Sequence, residues 1–208
     1  MDKKLEIFCV ENAATPDVFA NLSSDLDKDI WRFGVAEPTY AWEVEDPKPK
    51  WWCDLVKNRW HETLVTNIID RLEQIDPNVK NYVFKLLNCQ GGGRTHGLDG
   101  SIHIDNDFQF TEEGYGFMTF CYFPHKEWDA EWGGEIQFFN EKGEIIAAYH
   151  PMPNTAIAFD SNIPHRGLAP TKECPHLRKF VTMKLQVDKA WGTSSVNFSE
   201  IKKLDNNE

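Results

Sequence analysis

Two residues near the middle of the chain raise the first chemical question. His103-Ile104-Asp105 sets an imidazole and a carboxylate at positions i and i+2. On a strand those side chains share a face, so both can reach one metal ion. A third ligand must come from elsewhere, and among the remaining histidines His165 is best placed. It follows the strand-like run TAIAFDS, sits in SNIPHRG and lies about sixty residues downstream, a separation that a closed antiparallel barrel would bridge. Two neutral imidazoles and one carboxylate leave three open positions on a six-coordinate ion, the donor set suited to non-haem Fe(II) oxygen chemistry. Two of those positions suit a bidentate 2-oxo acid and the third suits O2. A lone His-x-Asp is more often a surface pair or a satisfied core histidine, so the surrounding elements must decide.

The other histidines compete weakly. His96 stands in GGGRTHGLDGS (residues 91–101), a glycine-rich stretch with Arg94 that reads as a mobile flap over the substrate, and no carboxylate follows it at i+2. His125, His150 and His176 lie in loop or proline-flanked contexts and read as surface residues. His61 falls inside a helical pattern and reads as structural.

The elements that must position the ligands lie mostly after residue 80. Short β-rich runs punctuated by turn signals occur at 82–88, 101–105, 115–123, 135–139, 144–149, 155–159, 164–168 and 178–187, with Glu141-Lys142-Gly143 as a hairpin turn. Eight short strands with no helix-length segments between them predict an antiparallel sandwich or barrel. Before them the chain reads as helical. Thr15-Pro16 opens a helix towards Asp29. Apolar residues at Trp52, Leu55, Val56, Trp60, Leu64, Ile68 and Leu72 mark one helix face within 51–75, closed by Asp76-Pro77-Asn78. The prolines within residues 36–50 favour an extended or looped segment, and the polar tail KKLDNNE should fray. The predicted plan is mainly β with N-terminal helices: helical support over 1–80, a jelly-roll core over 81–190 and a tail over 191–208, all in one domain.

Bulk properties narrow the class. The chain has 208 residues, 41% of them apolar, enough for a core. Its net charge of −11 disfavours a large nucleic-acid or anionic-lipid footprint. Five scattered cysteines with no CxxC pair fit reduced thiols. The N-terminus makes a poor signal peptide, and no run approaches the roughly 20 apolar residues of a membrane helix. These features predict a cytoplasmic protein with no membrane partner.

From Tyr82 to Val187 the sequence resembles the prolyl 4-hydroxylase-type branch of the Fe(II)/2-oxoglutarate dioxygenases. The resemblance rests on GSIHIDND, MTFCYFP, KEWDAEWGGEIQFF, YHPMPNTAIAFDSNIPHRG and RKFVTMKLQV, in that order and spacing. It implies a double-stranded β-helix that binds Fe(II) through His103, Asp105 and His165, and 2-oxoglutarate as co-substrate, with ascorbate as an accessory reductant. The implied reaction consumes O2, releases succinate and CO2 and hydroxylates a C–H bond, with a protein prolyl residue as first choice of substrate. Alternatives are a small-molecule substrate or a cupin-type metal-binding module without oxygenase activity. Asp105 keeps the coordination site that related halogenases leave to halide, so hydroxylation is the implied outcome.

The same resemblance points to Arg178 as the cation for the distal carboxylate of 2-oxoglutarate, with the Thr182 hydroxyl four positions on. Lys179 has the opposite strand parity, and Lys184 shares it but sits far along the strand. Tyrosines on two neighbouring strands often contact the co-substrate in such enzymes. Here Phe123 takes one such place with Tyr122 beside it, and the polar candidate before the glycine loop is Asn88; either Tyr122 or Asn88 could instead be core or surface. The paired glycines of WGGEIQFF suit a tight turn into a strand. Trp31, Trp51, Trp128 and Trp132 could line a peptide groove, though core packing is the commoner role.

Overall fold

Strand β1 (Ile7–Val10) is followed by helix α1 (Pro16–Leu26), β2 (Arg32–Gly34), β3 (Lys50–Asp54) and helix α2 (Trp60–Ile75). Eight further strands follow: β4 (Tyr82–Arg94), β5 (Tyr115–Phe123), β6 (Ile136–Phe139), β7 (Ile145–Tyr149), β8 (Thr155–Asp160), β9 (His165–Gly167), β10 (Arg178–Lys189) and β11 (Ser195–Val196). This is a computed structural model, and it describes residues 7–34, 49–55, 60–105, 115–189 and 195–196. The proline-rich stretch from 36 to 48 and the polar tail lie outside the described residues.

Two sheets face each other. The larger runs β1-β8-β5-β10-β4-β3-β2 with β11 beside β4, and the smaller runs β7-β6-β9. All the pairings are antiparallel except that of β11 with β4. An isolated bridge between His103 and His165 extends the small sheet at its β9 edge. This is the jelly roll expected from the strand spacing, although the run at 101–105 contributes only that bridge.

Alternation along the strands divides the side chains between two cores. Phe120, Tyr122, Val181, Met183 and Leu185 turn to one face of the large sheet and pack with Val18 and Leu22 of α1 and Leu64, Ile68 and Leu72 of α2. Each of those helical side chains is at most 3% exposed, a burial worth roughly 1.5–3 kcal/mol per side chain. Cys121, Phe123, Ile136, Phe138, Ile157 and Phe159 turn the other way and fill the space between the sheets. The second face carries the site.

The first third departs from the helical expectation. α2 begins at Trp60, and Lys50–Asp54 is a strand, with Trp51, Trp52 and Cys53 paired to Gly93, Gly92 and Gly91. Bulky aromatics suit a pleated sheet, and the glycines opposite leave room for them. α1 likewise stops at Leu26, short of Asp29. Its Thr15 sits at the cap position, but the hydroxyl bonds Asn67 on α2. The turn after α2 is as expected, with Asp76 accepting from the Asn78 amide at 2.9 Å.

The glycine-rich stretch is corrected too. Gly91–Arg94 is the buried end of β4, not a flap. A Cβ at Gly91 would stand 2.3 Å from Cys53 Sγ, one at Gly92 2.3 Å from the Phe180 ring, and one at Gly93 2.9 Å from Leu177. These glycines serve close packing rather than backbone freedom. Gly133 and Gly134 do need that freedom, with φ of 63° and 77°, and they turn the chain into β6.

Candidate metal centre and co-substrate pocket

The two histidines are locked together by backbone. His103 N–H donates to the His165 carbonyl at 3.0 Å, and His165 N–H returns to the His103 carbonyl at 2.9 Å. Their rings lie 4.4 Å apart between centroids. His103 Nδ1 is 2.9 Å from the Ser101 carbonyl and His165 Nδ1 is 2.9 Å from the Ile163 carbonyl. A carbonyl can only accept, so each Nδ1 carries the proton and each Nε2 keeps its lone pair for a metal.

Asp105 completes the set. Its Oδ1 lies 3.8 Å from His103 Nε2, and its Oδ2 lies 3.5 Å from His165 Nε2. All three ligand atoms fall within 4.8 Å of one another. The carboxylate is held from behind: Thr119 Oγ1 donates to Oδ2 at 2.9 Å and also meets Ser161 Oγ at 3.0 Å. The Asp105 amide donates to the Ser161 carbonyl at 2.9 Å.

Electrostatics agree with a cation site. Burial opposes the Asp105 charge, but His165, Lys184 and His103 outweigh it and hold its pKa far below the ordinary carboxylate range. The protein packed around His103, and then the His165 ring, push the His103 pKa down to about 4, although 41% of its side chain is exposed. The site therefore offers a neutral His103 imidazole and an ionised Asp105 carboxylate at pH 7, with His165 Nε2 beside them. That donor set, with its tautomers fixed, fits Fe(II).

The rest of the pocket follows from strand register. Thr119 faces the metal site, and its partner across β5–β10 is Lys184, whose partner on β4 is Asn88. The next rung of the same face holds Cys121, Thr182 and Gln90, then come Phe180 and Gly92, and last Arg178 and Arg94. Asn88, Thr182 and Arg178 thus share the interior face, with Asn88 at the metal end and Arg178 at the far end. Tyr122 does not share it. It lies among the helix-side residues, and its hydroxyl donates to Asn154 Oδ1 at 3.0 Å.

Arg178 is 1% exposed. Its Nε donates to the Gly134 carbonyl, and its guanidinium lies 5.2 Å from the Phe123 ring centroid and 5.3 Å from that of Phe180. Burial pulls its pKa down to about 10, so it stays charged at pH 7. Phe123 thus meets the guanidinium through its ring face. Lys179 points away, as its parity requires, and pairs with Asp27 at the end of α1.

Three site residues were not picked out from the sequence. Lys184, set aside as too far along, brings its Nζ to 3.3 Å from Asp105 Oδ1. Its even spacing from Arg178 was the available signal; distance along the strand does not matter, because the strand itself runs from one end of the pocket to the other. Thr119 and Ser161 carried no such signal. Among the histidines, His96 is exposed, and His61 is buried in α2 as a structural residue. His176 is exposed and lies 3.4 Å from Glu127, while half-buried His150 lies 3.7 Å from Glu135. His125 is not a surface residue. It is 3% exposed and stacks on Trp128 at 4.4 Å, because the chain turns inward after β5. Trp128 is itself buried, whereas Trp31, Trp51 and Trp132 are half-buried.

Comparison with known proteins agrees with this site. Residues 89–184 match the family model described as the 2OG-Fe(II) oxygenase superfamily. No curated protein matches the sequence significantly. Among solved structures, the chain resembles a prolyl hydroxylase from Trichoplax adhaerens in complex with a hypoxia inducible factor oxygen degradation domain peptide fragment. That match has a TM-score of 0.57 and 13% identity and covers 97% of this chain and 87% of the other. It also resembles a 2OG-Fe(II) oxygenase family oxidoreductase from Burkholderia pseudomallei, with a TM-score of 0.56, 11% identity and coverages of 92% and 88%. A viral collagen prolyl hydroxylase from Paramecium Bursaria Chlorella virus-1 gives a TM-score of 0.51, 13% identity and coverages of 91% and 98%. At such identities these structures speak for the fold, and the family match speaks for the chemistry. The whole triad lies inside that matched segment, so residues 89–184 resemble a 2OG-Fe(II) oxygenase domain with its metal ligands in place, and the site reads as that of a 2-oxoglutarate-dependent dioxygenase.

Proposed function

We propose that this dioxygenase hydroxylates a prolyl residue of a protein or peptide in the cytoplasm. His103, Asp105 and His165 hold the iron, and Arg178 with Thr182 anchors the distal carboxylate of 2-oxoglutarate. Asn88 faces the opposite, metal-proximal end of the co-substrate. One observation carries this reading: the triad and a buried guanidinium, which has no salt bridge among the described residues, share the interior face of one barrel, separated along the rungs marked by Lys184, Thr182 and Phe180. A dicarboxylate that chelates a metal at one end needs such a cation at the other.

Bound Fe(II) supplies the O2 chemistry that couples decarboxylation of 2-oxoglutarate, to succinate and CO2, with oxidation of a substrate C–H bond. The chain's own residues do the rest. The Ser101 and Ile163 carbonyls orient the imidazoles, Thr119 fixes Asp105, and Arg178 sets the direction in which the co-substrate lies. Phe138, Phe159 and Ile163, each fully buried, wall the His165 side against water.

A prolyl substrate is supported by the prolyl hydroxylases among the similar folds, one of them solved with a peptide fragment. Incubating the iron-loaded protein with 2-oxoglutarate and proline-rich peptides should yield peptides heavier by about 16 Da, the mass of the inserted oxygen. Vigorous succinate formation with every peptide unchanged would sink the prolyl assignment and redirect the search to small molecules.

A further inference from the structure

Arg178 has a second guanidinium directly opposite it. Arg94, the last residue of β4, is its register partner. Directly paired residues on antiparallel strands project from the same face at close range, where like charges are destabilising. Both are buried, Arg94 at 8% exposure and Arg178 at 1%. Among the described residues neither forms a salt bridge with a carboxylate. Arg94 Nη1 donates to the Leu98 carbonyl at 2.8 Å, but its Nε is buried with no hydrogen-bond partner among those residues.

Two glycines make room for this pair. Gly100 N–H donates to the Gly167 carbonyl at 2.9 Å. A Cβ at Gly100 would stand 2.7 Å from Arg94 Nη2, so a side chain there would expel the guanidinium. Gly167 lies two residues after His165 on the same strand, so its missing side chain would point to the same interior face. From that vacant Cβ position, Arg94 Nε is 3.5 Å away and Arg178 Nη1 and Nη2 are each 3.6 Å away. Nitrogens of both guanidinium groups converge on one point beyond the iron ligands.

We propose that Arg94 is a specificity-determining residue that closes a two-arginine clamp on the distal carboxylate of 2-oxoglutarate. This rests on the assignment of Arg178 to that carboxylate and extends it. Arg178, stacked on Phe123 and Phe180 and tied to Gly134, can offer only its Nη edge. Arg94 brings an unpaired N–H from the other side, and an anion between them relieves the repulsion of two desolvated cations. The clamp makes the enzyme discriminate 2-oxo acids that carry a second carboxylate from those that do not.

The test is binding, not turnover. The Zn(II)-loaded full-length protein is titrated calorimetrically with 2-oxoglutarate and with 2-oxopentanoate, which ends in a methyl group. Arg94→Gln should weaken 2-oxoglutarate by roughly tenfold or more, the loss expected for one charge-assisted hydrogen bond, and leave 2-oxopentanoate unchanged. Arg94→Lys should recover part of the discrimination. Gly167→Ala, which leaves both arginines in place and puts a methyl group between them, should give the same selective loss, and it serves if Arg94→Gln does not fold. Equal weakening of both acids by Arg94→Gln would make Arg94 a brace for the Leu98 loop and overturn the proposal. So would discrimination unchanged in both Arg94→Gln and Gly167→Ala. If Arg178→Gln abolishes discrimination while Arg94→Gln keeps it, only this proposal falls; if the wild type does not discriminate, the Arg178 assignment falls with it.

Discussion

Thr119 donates its hydroxyl hydrogen to Asp105 Oδ2 at 2.9 Å, from the central strand β5 to a carboxylate that sits outside any strand. This bond ties the third iron ligand to the large sheet, whereas the two histidines are tied to each other through the small one. The metal centre therefore spans both sheets, and its geometry depends on their packing.

Thr119→Val keeps the shape of the side chain and removes that bond. Groups that orient metal ligands typically contribute 10–100-fold in metal affinity. The variant should bind Zn(II) or Fe(II) about tenfold more weakly in competition with a chromophoric chelator, with secondary structure unchanged. Affinity equal to the wild type would show that the Asp105 amide bond to Ser161 suffices to hold the ligand.

Lys184 makes a second, less obvious demand on Asp105. Its ammonium is 3.3 Å from Oδ1, and the carboxylate is only 7% exposed. Lys184→Met leaves a buried carboxylate without its nearest full cation, which should destabilise the metal-free protein by roughly 2–4 kcal/mol. A bound divalent ion replaces the missing charge. The rise in Tm on adding saturating Zn(II) should thus be larger in Lys184→Met than in the wild type. An equal or smaller rise would mean that Lys184 does not balance Asp105.

Much of this architecture was legible in the sequence because it follows from period-two alternation. His103 and Asp105 were reached from strand parity, His165, Arg178 and Thr182 through the family resemblance, and seven of the eight β-rich runs after residue 80 are strands. What escaped depends on neighbours that are remote in sequence. Gly91–Gly93 looks like a flexible loop until Cys53, Phe180 and Leu177 are seen filling the space of the missing side chains. Trp51 and Trp52 continue a helical spacing, yet pairing with those same glycines draws them into β3. Lys184 escaped because its partner Asp105 lies almost eighty residues away in sequence and meets it only in the folded chain, 3.3 Å from its ammonium.

Tyr122 offers a control for the orientation of β5. Its hydroxyl belongs to a knot around Asn154, whose side chain also accepts from the Ala14 amide at 2.9 Å and donates to the Ala14 carbonyl at 3.0 Å. Tyr122→Phe should cost about 1 kcal/mol of unfolding free energy, the usual value of one such bond, while the affinity for 2-oxoglutarate stays at the wild-type value. A selective loss of co-substrate affinity would place Tyr122 in the pocket after all.

His125 predicts the acid limb of stability. Burial first, and the nearby Arg178 charge second, push its pKa down to about 3 from an ordinary value near 6.5. Its Nε2 has no hydrogen-bond partner among the described residues, and the ring lies 4.4 Å from that of Trp128. The folded state therefore keeps this imidazole neutral while the unfolded chain takes up a proton below pH 6.5. Stability contributed by the neutral ring is complete above the unfolded pKa and is lost as pH falls towards the folded one. Between pH 7.5 and pH 5 the loss amounts to about 2 kcal/mol. His125→Gln has no proton to take up, so urea unfolding of the metal-free protein should show a shallower decline over that interval. The difference in stability from the wild type should shift in favour of the variant by about 2 kcal/mol. Parallel declines in the two proteins would mean that the imidazole of the folded wild type accepts its proton near the ordinary pH.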